Sequence, residues 1–75
     1  MKVFFDQQVD ALYIRLDNSK IVDSEEVKQG IVLDFNENEQ VVGIEILNIS
    51  KRVSLPELKK VQFELATEGT AGSLL

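Results

Sequence analysis

The sequence predicts an α+β domain that is mainly β: an antiparallel sheet of five or six strands built from two similar hairpins, with one short helix near residues 54–60. Three observations carry this reading. Apolar residues alternate with polar ones over short runs, the period of a strand with one buried face. The alternation is written twice, since Val3, Phe5, Leu12, Ile14 and Leu16 recur thirty positions later as Leu33, Phe35, Val42, Ile44 and Ile46. A helix-start pattern stands at Ser54-Leu55-Pro56-Glu57, a capping residue followed three positions later by Glu, with Pro in the first turn.

The elements follow in order. Residues 2–5, with Val3, Phe4 and Phe5, have the β-branched and aromatic content of a first strand. Asp6 to Asp10 is a polar break whose aspartates favour a turn. Ala11 to Leu16 is the second strand, with Leu12, Ile14 and Leu16 on one face and Ala11, Tyr13 and Arg15 on the other. After the turn residues Asp17-Asn18-Ser19, the stretch from Lys20 to Val27 reads as a weak edge strand, because its charges discourage pairing with other chains. Gln29-Gly30 closes it. Ile31 to Phe35 and Val41 to Leu47 form the second hairpin around Asn36-Glu37-Asn38-Glu39. The helix runs from the Ser54 cap through Lys60, and Val61, Phe63 and Leu65 then alternate as a sixth strand would, although Leu55, Leu58, Val61 and Leu65 also share a helical face. Residues 1–65 make one small domain, and the small and polar residues of 66–75 read as a disordered tail.

Composition narrows the function classes. A chain of 75 residues holds one core. At this size a core rarely supplies more than about 3–5 kcal/mol, so disulfides, a metal or a partner chain usually help. The chain has no cysteine and no histidine, which removes disulfides and ordinary zinc sites and makes a partner chain the expected support. A net charge of -5 repels phosphate backbones, so nucleic acid is not an expected partner. No apolar run is long enough to span a bilayer and no signal sequence opens the chain, so the expectation is a cytoplasmic protein without a membrane partner. No cofactor is implied.

The alternation gives the sheet two faces. Val3, Phe5, Leu12, Ile14, Leu16, Ile31, Leu33, Phe35, Val42, Ile44 and Ile46 would be the core. The other face collects Phe4, Asp6, Tyr13, Arg15, Val32, Asp34, Val41, Gly43, Glu45 and Leu47, mixing aromatics with both signs of charge. Of these, Phe4, Tyr13, Arg15, Val32, Asp34, Gly43, Glu45 and Leu47 form the candidate ligand or interface surface.

Arg15 beside Asp34 and Glu45 could hold an anion or orient a carboxylate, with Tyr13 as a hydroxyl donor. The same residues could equally be ordinary cross-strand charge pairs, worth a few tenths to about 1 kcal/mol each. Gly43, standing where the first repeat has Tyr13, would leave room for that ring or for a ligand. Asp6, Asp10, Asp34, Glu37 and Glu39 could attract a hard cation, but their spacing matches no calcium loop and they read as solvated turn residues. The serines have no histidine to activate them, so no catalytic residue is assigned.

The strings DALYIRL at residues 10–16, GIVLDF at 30–35 and VVGIEILNISKR at 41–52 resemble, in that order, a family of small prokaryotic proteins catalogued as domain of unknown function twenty-two eighty-three. The resemblance covers residues 2–53 and implies no catalytic residue, since the family is uncharacterised. Its second hairpin loop often has an Asp- or Gly-containing turn; the loop here has no Gly, which argues against a tight two-residue turn. Two functional readings stand. One is a non-catalytic protein-interaction or self-associating module, with a homodimer favoured over another protein partner. The other is a small-ligand-binding or enzymatic site on Tyr13, Arg15, Asp34 and Glu45.

Overall fold

The computed structural model describes residues 1–67. Five strands, β1 (Lys2–Asp6), β2 (Ala11–Arg15), β3 (Asp23–Lys28), β4 (Ile31–Phe35) and β5 (Val41–Leu47), form one antiparallel sheet in the order β1-β2-β5-β4-β3. A single 3-10 turn, Ile49–Lys51, and a one-turn helix α1, Leu55–Leu58, follow. The fold is thus mainly β with five strands, as one of the two strand counts anticipated.

The repeat in the sequence becomes a symmetry of the sheet. The hairpins β1–β2 and β4–β5 meet along β2 and β5, where Ile14 faces Ile44 and Leu12 faces Ile46. Ile14 and Ile44 are equivalent positions of the repeat, so a local two-fold relates the hairpins about that pair. The Leu16 amide donates to the Val42 carbonyl at 2.8 Å, which is the image of the Leu12–Ile46 pairing. β3 stands outside the repeat and covers the outer edge of β4. Among the described residues no strand lies beside the corresponding edge of β1.

The turns are set by local chemistry. Asp6 accepts the Gln8 amide on Oδ1 at 3.0 Å, and Asp10 ends the first turn at φ 54°. In the second hairpin Asn36, almost fully buried, takes the place of a glycine turn: its Oδ1 accepts the amides of Asn38 at 2.9 Å and Gln40 at 3.0 Å. Glu39 then adopts φ 60°. This is the longer hairpin loop, a turn followed by one left-handed residue, that the missing glycine pointed to.

Three boundaries differ from the sequence expectation. β3 begins at Asp23, and Lys20 to Val22 lie outside the strand, crossing from β2 to the far side of the sheet. The helix stops at Leu58; Ser54 caps it by accepting the Glu57 amide at 3.4 Å, and Lys59 closes it. Residues 61–65 form neither strand nor helix. Their alternation needs a sheet edge to pair with and they pair with none, leaving Val61, Phe63 and Leu65 exposed at 66%, 76% and 81%. Most of the expected tail, residues 68–75, lies outside the described residues.

The sheet is a single layer. The extensive contacts between elements are all between neighbouring strands, and neither helical turn packs broadly on a face. The expected core is therefore half open. Among its eleven residues only Val42 is fully buried, Val3 and Leu16 are exposed, and the rest are intermediate. A sheet buries a face only against a second layer, and among the described residues this chain supplies none. Among the described residues Ile49 is the other buried apolar side chain.

Candidate functional site

On the second face the strand registers assemble two adjacent rows. Phe4, Tyr13, Glu45, Val32 and Glu26 run across the sheet in one; Lys2, Arg15, Gly43, Asp34 and Ser24 run in the next. The local two-fold exchanges Tyr13 with Gly43 and Arg15 with Glu45, so the two repeats differ at all four positions that surround the axis on this face. Asp34 adjoins them from β4. The structure therefore brings together Tyr13, Arg15, Asp34, Gly43 and Glu45. It places Phe4 and Val32 at their flanks and Leu47 at the end of β5, opposite Ala11.

Gly43 is the centre. A β-carbon there would stand 2.8 Å from Asp34 Oδ2, 3.0 Å from the Tyr13 hydroxyl and 3.1 Å from Tyr13 Cε1. The tyrosine ring occupies the room that the glycine leaves, as the simpler of the two expectations for this position had it.

Arg15 faces its own loop. Its Nε donates to the Asp17 carbonyl at 2.7 Å, one terminal nitrogen donates to the Tyr13 hydroxyl at 3.2 Å, and the other donates to the Ser19 carbonyl. Asp17 in turn accepts the Ser19 amide at 2.8 Å, and that bonding with Ser19 holds its carboxyl below the usual value. Arg15 thus clamps the β2–β3 connection and orients Tyr13. Neither Asp34 nor Glu45 is its ion-pair partner; the ion pair found among the described residues is Lys60 with Glu57, at 3.6 Å on the surface.

Asp34 is 1% exposed. Its Oδ1 accepts the Ser24 hydroxyl at 2.6 Å, while Oδ2 has no donor among the heavy-atom contacts. A buried carboxylate oxygen without a donor is costly, and Glu45 is the titratable neighbour that responds to it. Its pKa is raised to about 6, first by a hydrogen bond to Asp34, then by burial and by the charge of Asp34. A carboxyl pair forms such a bond only when one member keeps its proton. Below about pH 6 a proton on Glu45 is available to supply the donor that Asp34 Oδ2 lacks.

Three surface grooves lie elsewhere: beside Ser19, Lys20 and Asn38, along Val22, Glu25 and Phe35, and beside Met1, Lys2 and Arg15. Tyr13, Asp34 and Glu45 line none of these. Among the described residues no set of three or more carboxylates is placed to hold a metal ion, and no helix is long and apolar enough to cross a membrane.

One polar link escaped sequence reasoning. Asp10, read there as a solvated turn residue, accepts the Ser50 amide at 3.0 Å on Oδ1 and the Ser50 hydroxyl at 2.6 Å on Oδ2. Its carbonyl accepts the Ile49 amide at 3.1 Å. It pins the chain after β5 to the first hairpin. Spacing gives no hint of a contact between residues so far apart in the chain.

Fold and site together define a small antiparallel β domain whose second face carries a cluster of Tyr13, Arg15, Asp34, Gly43 and Glu45. A sequence profile of the family described as Protein of unknown function (DUF2283) matches residues 2–50, and the chain belongs to that family. No curated protein and no solved structure matches it.

Proposed function

We propose that this protein is a non-catalytic, self-associating module whose apolar sheet face is closed by a second copy of the chain, in a cytoplasmic setting. One observation carries the reading: a five-stranded sheet with an apolar face and no second layer among the described residues. Leu12, Ile14, Leu33, Ile44 and Ile46 lie in register across its three central strands and are each only partly buried. Packing that face against its own copy supplies the missing layer and relieves the small-core problem. The sequence reading put the partner on the other face. The polar cluster there, occupied with its own hydrogen bonds, makes the apolar face the better candidate.

Light scattering coupled to size exclusion tests the proposal. The expected mass is a multiple of the chain's, and Ile44→Asp, at the centre of the face, shifts it toward the monomer. A well-folded wild-type monomer across the micromolar range would overturn the reading.

A further inference from the structure

The sheet has two edges, and the chain treats them differently. β3 is guarded. All six of its residues are exposed, Asp23, Glu25 and Glu26 repel a second copy, and its register shifts between Glu26 and Lys28. Charges and irregular register are the ordinary means of keeping an edge from pairing. β1 is less guarded: its charges, Lys2 and Asp6, stand only at its ends, its pairing with β2 is regular over all five residues, and Val3 and Phe4 are exposed at 45% and 48%.

The local two-fold sharpens the contrast. It carries β4 onto β1, and the outer edge of β4 is filled by β3. The outer edge of β1 is thus a strand position that one half of the repeat fills and that no strand fills, among the described residues, in the other.

We propose that this edge binds β1 of a second copy, antiparallel and centred on Phe4, so that two sheets join into one continuous sheet. The occupant is argued from charge. An antiparallel pair centred on residue 4 sets Lys2 opposite Asp6 of the other copy, twice by symmetry, while Val3 meets Phe5 and Phe4 meets its own copy. The lysine that would otherwise protect the edge then has an acidic partner. The same operation on β3, centred on Glu25 or on Glu26, sets that glutamate against its own copy. Opposite charges across a strand pair stabilise it and like charges oppose it. Each copy gives the same surface, so the contact is isologous and closes after two copies. It is separate from the apolar-face contact and stands if that one fails.

Disulfide trapping tests it, because the chain has no native cysteine. Directly opposed residues bring their β-carbons to about 4.5–5.5 Å, close to what a disulfide needs. Full-length Phe4→Cys is expected to form a covalent dimer under mild oxidation at least tenfold faster than Glu26→Cys on the other edge. Adding Lys2→Asp to Phe4→Cys should slow trapping several-fold, and adding Asp6→Lys as well should restore it. Ile44→Asp, which disrupts the apolar face, should leave trapping through position 4 in place.

The proposal is overturned if Phe4→Cys traps no faster than Glu26→Cys, or if Lys2→Asp has no effect. It is also overturned if a mixture of Phe4→Cys and Phe63→Cys chains gives mainly the mixed dimer. That last result would assign the edge to the exposed segment 61–65 of a partner copy.

Discussion

At the scale of single residues, the second face is organised by one missing side chain and one retained proton. Gly43→Ala would set a methyl 2.8 Å from Asp34 Oδ2 and 3.1 Å from Tyr13 Cε1, and Asp34 is buried and tied to Ser24. Overpacking of this kind costs about 1–3 kcal/mol, so a urea titration should show a lower midpoint at unchanged slope. Glu45 gives a pH signature whose sign is fixed by its raised pKa. The folded state holds the Glu45 proton more tightly than the unfolded chain does. Its contribution is complete below about 4.5 and is lost as pH rises through about 6. Thermal midpoints should therefore fall between those values in the wild type. Glu45→Gln keeps a donor for Asp34 without an ionisable proton, and its midpoint should vary less over that window; an identical profile would refute the shared proton. The sequence showed where to look for this cluster, because Tyr13 against Gly43 and Arg15 against Glu45 are where the repeats part. It did not show who pairs with whom. Arg15, surrounded in sequence terms by acidic candidates, bonds instead to the Asp17 and Ser19 carbonyls of its own loop, and backbone acceptors leave no compositional trace.

At the scale of elements, alternation and turn chemistry revealed most of the sheet, and the misses share one physical cause. β1, β2, β4 and β5 could be read because each has apolar residues at period two between turn residues. Residues 61–65 have the same period and form no strand, since a strand exists only through its neighbour and that relation is not local. β3 was readable as a poor edge strand, but not the crossing of Lys20 to Val22 that delays its start to Asp23. Asn36 shows the reverse case, a turn that works without glycine because one side chain binds two amides. The cost falls on Glu39 at φ 60°, where a side chain is strained by about 1–2 kcal/mol. Glu39→Gly should recover part of that strain after the added chain entropy of glycine, a net gain of about 0.5–1 kcal/mol, read as a rise of several degrees in the melting temperature. Asp10→Ala should do the opposite through a different element. It removes two hydrogen bonds to Ser50, and amide exchange should rise at Ile49 and Ser50 more than in β5, because the anchor is lost while the strand ladder remains.

At the scale of the whole molecule, a single antiparallel sheet with a half-open apolar face should not fold with a stability independent of its surroundings. If the second layer is another copy, folding and association share one equilibrium, and stability must depend on chain concentration. For a folded dimer in equilibrium with unfolded chains, each tenfold rise in concentration adds about 1.4 kcal/mol per dimer, or roughly half that per chain. For a domain of this size, that corresponds to a rise in melting temperature of about 3–6 °C per tenfold. Circular dichroism melts from micromolar to sub-millimolar chain should show this slope, and Ile44→Asp should flatten it together with a loss of stability. Lys2→Asp should leave the slope largely in place, because it acts at the β1 edge and not on the face that lacks a layer. A melting temperature independent of concentration in the wild type would mean that the open sheet is stable alone, and the apolar face would then need an explanation other than a second copy.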